Sequence, residues 1–419
     1  MRGEVARAFV QQALGRLRGG RLEIAEGDGV RTFGPEDASL RARVEVSDSR
    51  AWSGLLRGST GWGEGYVDGD WATDNLVDLV RIACRNLAPF DRWRARVQPL
   101  VGPAKRIAKL VPQNTRAGAR SNISAHYDLG NDLFASFLDE GMTYSCAYFP
   151  DPHASLERAQ IAKIERLCRQ LELVPDDHLL EIGAGWGSFA VHAATEHGCR
   201  VTTTTISREQ HAYASARIRG AGLDDRVTVL LRDYRDLDGR YDKLVSVEMI
   251  EAVGWQYFET FFRKCAELLA PDGLMALQAI LIGDDAYEAE KASRSFANRH
   301  VFPGGCLPSA RLIADLTATA TDLRTVWLDD ISAHYARTLE IWRQRFNDAW
   351  GALRRRGYDE RFRRLWNFYL ASSEAGFRER RIRDLQFLLA KPAWRLREMF
   401  SSQFPDITPE IAVAVRHES

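Results

Sequence analysis

Two kinds of hydrophobic spacing divide the chain. Up to about residue 90 the apolar positions come in short alternations: Arg21–Ile24 and Ala42–Val46 read as strands. Asn75–Arg85 has the three-to-four spacing of a helix, and Gly61–Trp71, with its alternate glycines and aromatics, reads as a turn segment. From Asn122 onward, apolar runs alternate with amphipathic stretches. Leu179–Ile182, Arg200–Ile206, Val227–Leu231, Lys243–Val247 and Leu274–Ile280 are the expected strands, and Ala159–Leu171 is an expected helix. After Phe302 the pattern reads as mostly helical to about Glu398. Alternating strands and helices predict an α/β fold, a parallel sheet covered on both faces, whose ligands bind beyond the carboxyl ends of the strands. That rule gathers Glu181–Gly187, Thr205–Gln210, Asp233–Arg235, Glu248–Glu251 and Gln278–Ile280 around one crevice.

The change of pattern sets the expected organisation. Residues 1–90 form a small α+β domain, 91–121 a basic linker with Pro99, Pro103 and Pro112, 122–400 the α/β domain, and 401–419 a tail. No repeat or low-complexity tract interrupts it.

Leu179-Leu180-Glu181-Ile182-Gly183-Ala184-Gly185-Trp186-Gly187 is the most informative stretch. A buried strand runs into a glycine turn and then into the apolar helical face of Ser188–Val191. Such glycines let the backbone pass close under a nucleoside cofactor. A dinucleotide site would have G-x-G-x-x-G and an acid roughly 20 residues on. Here the loop is G-x-G-x-G and the next strand is Val201-Thr202-Thr203-Thr204-Thr205-Ile206, with no acid. Trp186 also crowds the helix N-terminus that a pyrophosphate would use. S-adenosylmethionine has no phosphate and can place its ammonium near Glu181, so the loop favours it. A glycine turn that only packs strand on helix remains the bland alternative.

Charge says little in total and more in distribution. Lys+Arg and Asp+Glu are both 57, and 45% of residues are apolar. Between Arg92 and Arg120 there are eight basic residues and no acid, and a second basic run, Arg378–Arg397, is interleaved with apolar residues. Both read either as solvated helix faces or as surfaces for anionic lipid; no nucleic-acid motif accompanies them. The six cysteines are scattered without C-x-x-C, which speaks against a structural metal or disulfide framework and suits a reducing cytosol. No apolar run reaches the roughly 18 residues of a membrane span, and Met1–Arg21 has no signal-peptide core.

Several segments occur in a recognisable order: Ala125–Phe134, Met142–Phe149, Leu180–Gly187, Val245–Gly254, Phe302–Ser309 and His334–Leu339. The series resembles the cyclopropane-fatty-acid synthase family, which includes the mycolic acid cyclopropane synthases and tuberculostearate-type methyltransferases. The resemblance spans about residues 120–390, and Gly61–Trp71 resembles the N-terminal domain of the longer members. It implies a Rossmann-like class I methyltransferase fold with a seven-stranded, mostly parallel sheet and helical insertions that cover the lipid. The implied reaction moves the S-adenosylmethionine methyl group onto the cis double bond of an unsaturated phospholipid acyl chain. The resulting carbocation then loses a proton to a bound bicarbonate ion. The implied bicarbonate positions are Cys146, Glu251, the Ile280 backbone and Tyr335, with Gln278 where many members have histidine. Gln278 can hydrogen-bond the ion but cannot titrate near neutral pH. Implied cofactor contacts are Tyr144, Ser145, Gly183, Gly185, Thr205, Ile206, Gln210, Asp233, Tyr234 and Arg235, with Glu181 and Gly187 in the loop and Tyr127 closing over it. A cysteine found near the C-terminus of some members is Ser373 here, so no nucleophile is assigned.

Two products diverge from the cation. Proton loss from the new methyl group closes a cyclopropane; a hydride shift first gives a methylene branch, which a flavin- or NADPH-dependent reductase could reduce. The resemblance further implies a cytoplasmic enzyme held peripherally at the inner face of the membrane, and leaves a homodimer open. A small-molecule methyltransferase would share the glycine loop but lack Tyr144–Phe149 and Phe302–Ser309. A non-catalytic lipid adaptor would leave Glu181–Gly187 and Glu251 without a role.

Overall fold

Buried strands on both sides of the glycine loop build the centre of the molecule. The computed structural model describes residues 2–86, 114, 115, 118, 129–291 and 295–396. Tyr127, the Arg92–Arg120 basic run, Arg397 and the tail 401–419 lie outside the described residues.

The larger sheet has seven strands in the order β10-β11-β9-β8-β5-β6-β7. These are β5 (His178–Ile182), β6 (Arg200–Thr205), β7 (Val227–Leu231), β8 (Tyr241–Val247), β9 (Leu269–Ile282), β10 (Arg324–Asp330) and β11 (Ile382–Ala390). β5–β9 pair in parallel, and β11 runs antiparallel to both β9 and β10. Strands sandwiched between helix layers carry unbroken apolar runs: Leu179, Leu180 and Ile182 are all buried. The four threonines of β6 are buried too, β-branched side chains that suit a pleated surface. The helix Leu156–Gln170 starts where the Ser155 hydroxyl accepts the Arg158 N–H, and it buries Ala159, Ile164 and Leu167. The order of strands reverses between β5 and β8, which opens the crevice at their carboxyl ends.

The five strands expected from Leu179 to Ile280 are present, β9 extending further at both ends. The mostly helical reading after Phe302 holds, with β10 and β11 interrupting it. The apolar residues within the second basic run belong to β11, where Leu385, Phe387, Leu388 and Leu389 are core. That run is no continuous cationic face. Arg378 pairs with Glu374 and Glu340, Arg380 with Asp330, and Lys391 with Asp322.

The N-terminal residues carry their own four-stranded sheet, ordered β2-β1-β3-β4, from β1 (Arg21–Glu26), β2 (Gly29–Phe33), β3 (Arg41–Val46) and β4 (Trp71–Thr73). The Gly61–Trp71 segment is also corrected. It is mainly a helix, Gly58–Asp68, ending at left-handed Gly69. Its glycines make room rather than turns. A Cβ on Gly61 would lie 2.5 Å from the Gly54 carbonyl oxygen, and one on Gly63 2.4 Å from the Phe296 ring. The helix packs on Glu360–Arg378, with Trp62 stacked on Trp71 at 5.3 Å and edge-on to Phe368 at 5.7 Å. One apolar core thus runs from Ala6 and Trp52 to Phe137, Trp342 and Trp366. Arg81 and Arg85 both reach Glu379 across the same junction.

Candidate active site

The crevice is a cavity of about 370 Å³ with a glycine loop at one end and buried acids at the other. Its wall includes Tyr144, Ser145, Glu181, Gly183, Gly185, Thr205, Ile206, Gln210, Asp233, Tyr234, Arg235, Glu251, Ile280 and Tyr335, all expected from the sequence. Cys146, Gln278 and Gly187 do not line it. Asn114, within the segment read as linker, does, donating its side-chain amide to the Ala252 and Gly304 carbonyls.

The three loop glycines differ in what they do. Gly183, Gly185 and Gly187 all have positive φ (106°, 50° and 88°). A Cβ on Gly185 would meet nothing within 4 Å, so its bare face looks into the crevice. A Cβ on Gly187 would press on Ala214 at 3.1 Å, so this glycine serves helix packing. Trp186 is buried in the aromatic cluster beside Phe134 and donates to Asn131 at 2.9 Å. The Thr205 hydroxyl donates to Gln210 at 2.8 Å. Asp233 is gripped bidentately by Arg235, whose guanidinium lies over Tyr234 and Tyr257. Glu181, which accepts from the Thr203 hydroxyl at 2.6 Å, is pushed by burial up to about 8, against the pull of Thr203 and Lys163. An open backbone face, a buried acid and apolar walls fit S-adenosylmethionine. When bound, it supplies a methyl group on a sulfonium.

At the other end three carboxyl groups meet. Glu248 accepts hydrogen bonds from the Cys146 N–H at 2.8 Å, the Gln278 amide at 2.8 Å and the Tyr335 hydroxyl at 2.6 Å. Glu251 accepts from the Ile280 N–H at 2.5 Å, while its other oxygen is buried without a hydrogen-bond partner. Burial, and then the Glu248 charge, push Glu251 up to about 8. Asp384, fully buried on β11, accepts from Gln278 at 3.0 Å and is held well above the usual carboxylate range by burial and by Glu248. Gln278 accepts in turn from Gln386, which accepts from Arg166. Lys163 is buried beneath, donating to the Ser145 hydroxyl at 2.8 Å, its pKa lowered by burial.

Cys146 and Gln278 stand behind the crevice wall. The Cys146 thiol points at the Ala147 and Ile331 carbonyls and lies beside Asp384, and its backbone N–H serves Glu248. Gln278 acts from behind, through Glu248 and Asp384. The residues also do not fit a bicarbonate ion. The Gln278 amide, the Tyr335 hydroxyl and the Ile280 N–H already serve Glu248 or Glu251, the Cys146 thiol is turned to backbone carbonyls, and an added anion would lie against the Glu248 carboxylate.

Sequence reasoning placed Glu248 at the crevice without giving it a role, and missed Asp384 and Lys163. Lys163 had a signal: it falls four residues from Ala159 and Leu167, on the stripe that faces the core.

Between the two ends the wall is aromatic. The Tyr144 and Tyr369 hydroxyls meet at 2.9 Å, Tyr144 stacks on Trp342, and Tyr335 stacks on Phe377 at 4.4 Å.

Comparison with known proteins agrees with this geometry. Residues 114–387 match the family described as mycolic acid cyclopropane synthetase. The chain is 39% identical over 368 residues to the tuberculostearic acid methyltransferase UfaA1 of Mycobacterium tuberculosis, covering 85% of this chain and 84% of that protein. It is 35% identical over 377 residues to the cyclopropane-fatty-acyl-phospholipid synthase of Escherichia coli K12, covering 88% and 92%. The solved structure of mycolic acid cyclopropane synthase CmaA1 with SAH and CTAB superposes with a TM-score of 0.61 at 29% identity, over 65% of this chain and 98% of that one. Coclaurine N-methyltransferase, 21% identical with a TM-score of 0.55, shares the fold. A class I methyltransferase sheet, a crevice shaped for S-adenosylmethionine and relatives of this kind along nearly the whole chain lead to one conclusion: the protein belongs to the mycolic acid cyclopropane synthetase family and is an S-adenosylmethionine-dependent methyltransferase of fatty acids.

Proposed function

We propose that the chain methylates the cis double bond of an unsaturated acyl chain in membrane phospholipid. The observation that carries this reading is the aromatic wall between glycine loop and acids, formed by Tyr144, Phe302, Tyr335, Tyr369 and Phe377. An alkene is a weak nucleophile, so the site must align it and keep water out. The cation that forms on the acyl chain is stabilised by π faces and nearby anions. Tyr144, Tyr335 and Tyr369 supply the first, and the carboxyl cluster supplies the second. Gly183 and Gly185 bring backbone under the methyl donor, and Glu181 faces its ammonium.

Two products are consistent with this cation. Likeness to a tuberculostearic acid methyltransferase favours a methylene branch, which a flavin- or NADPH-dependent reductase would convert to a methyl branch. Likeness to a cyclopropane-fatty-acyl-phospholipid synthase favours ring closure. No helix among the described residues is long and apolar enough to cross a membrane. The basic residues Arg92–Arg120 supply the means of reaching lipid from the surface, by attraction to anionic head groups.

The test uses methyl-labelled S-adenosylmethionine and vesicles of unsaturated, partly anionic phospholipid. Label is expected in extracted lipid, less of it as salt screens the vesicle surface, and proton NMR of the product separates ring from vinylidene protons. Protein that binds the cofactor yet leaves the lipid unlabelled would refute the reading; labelling indifferent to salt would remove the electrostatic docking.

A further inference from the structure

We propose that Glu248 is the base that takes the proton from the cation, so that the chain carries in one of its own side chains the anion that an external bicarbonate would otherwise provide. The inference rests on the methyl-transfer reading above. Its starting point is the backbone. β8 ends at Val247, and Glu248 follows with φ of +49°, the left-handed region where glycine is at ease and a glutamate is strained. Its N–H donates to the Gln278 carbonyl at 2.8 Å, which fixes the turn against β9. Strain of this kind persists where the surrounding structure enforces it, and it clusters at functional sites. Here it turns a carboxylate into the crevice wall.

That carboxylate holds the Cys146 N–H, the Gln278 amide and the Tyr335 hydroxyl. Cys146, Gln278 and Tyr335 are three of the positions the resemblance implies for a free bicarbonate, Cys146 here through its N–H rather than its thiol, and two more, the Ile280 N–H and Glu251, are bonded to each other. A carboxylate and a bicarbonate present the same two-oxygen face to such donors. The site is therefore built for one anion of this shape, and Glu248 fills it. Neither neighbour serves as well. Asp384 does not reach the crevice wall, and Glu251 has one donor against three for Glu248. Burial raises all three carboxyl groups, and it keeps protons on Glu251 and Asp384 near neutral pH; at Glu248 the three hydrogen bonds and Lys163 pull back toward the charged form, so the charge of the cluster falls there.

The step balances without another reactant. A C–H bond of the transferred methyl group breaks and its proton passes to a Glu248 oxygen. The electron pair closes the three-membered ring or, after a hydride shift along the chain, becomes the π bond of the methylene branch. The proton returns to water once product has left.

The test compares wild type, Glu248→Gly and Glu248→Gln in buffer stripped of carbon dioxide and in buffer with added bicarbonate or formate. Glycine suits the left-handed turn, and cofactor binding by calorimetry checks each fold. Wild-type turnover is expected to be the same with and without bicarbonate. Glu248→Gly is expected to lose about 100-fold or more, and to recover saturably with either small anion; Glu248→Gln, which fills the place without basicity, is expected to lose activity without recovering. A labelling wild type that needs bicarbonate, or a Glu248→Gly protein that binds cofactor and keeps full turnover in stripped buffer, overturns the assignment while leaving the reaction standing. A wild type that transfers no label overturns the reaction and the base together.

Discussion

Glu181 lies one residue before the end of the strand that carries the glycine loop, and at pH 7 its proton, held to about 8, is still in place. A sulfonium ligand with an ammonium group brings positive charge to this acid and favours its ionised form. Cofactor binding at pH 7 is therefore expected to release a proton. Calorimetric binding enthalpies should vary with the ionisation enthalpy of the buffer, and Glu181→Gln should abolish that variation; enthalpies alike in every buffer would show that Glu181 stays protonated. This residue was legible from the sequence because a strand end and a glycine turn bracket it. Glu251 and Tyr335 were legible through a run of family motifs. The place of Glu248 after a strand was legible but its role was not, because that lies in a left-handed φ and in donors from three distant segments, none of which has a sequence spacing.

At the level of elements, the parallel strands could be read from continuous apolar runs, whereas β11 was hidden. Its apolar residues sit among arginines, and antiparallel pairing with β9 and β10 gives no local signal. The glycine-rich helix Gly58–Asp68 misled for the opposite reason: its glycines signal turns, but tertiary contact overrides that preference by demanding close approach. Gly63→Ala tests this. The added methyl would overlap the Phe296 and Phe368 rings, at 2.4 and 2.7 Å, and is expected to cost about 1–3 kcal/mol. Thermal unfolding should show a lowered Tm, whereas Gly58→Ala, with open space around it, should show only the smaller cost of its left-handed backbone. Equal losses at the two positions would mean that packing is not what the glycine protects.

For the whole molecule, buried acids set a slope of stability against pH. In the unfolded chain Glu181 and Glu251 ionise near 4.5, but in the folded protein they keep their protons to about 8. The folded state thus binds more protons between these values, and stability falls as pH rises, by up to roughly 1.4 kcal/mol per pH unit for each group. Asp384 and Glu248, also raised by burial, add to the slope with the same sign, so between pH 7 and 8 the difference from a variant lacking Glu181 and Glu251 singles out those two acids. His178 and His334, lowered from 6.5 by burial, have already lost their protons there. Glu157, Glu165 and Glu379, all lowered from 4.5, titrate only in acid. Denaturant unfolding should show the wild type losing stability from pH 7 to 8 and a Glu181→Gln/Glu251→Gln protein losing less; parallel curves would place the ionisation elsewhere.

One row of side chains crosses the sheet on a single rung, where Asp329 of β10 pairs with Gln386 of β11, and Gln386 with Gln278 of β9. An amide can point either way along such a row, but a guanidinium can only donate. Because Arg166, itself paired with Asp329, gives its N–H to the Gln386 oxygen, Gln386 must offer its N–H to Gln278, and Gln278 must offer its own to Glu248. The row behaves like a compass needle set by a magnet at its outer end: the Arg166 cation fixes the direction of both amide dipoles inward, and Glu248 receives their positive pole from behind the crevice wall.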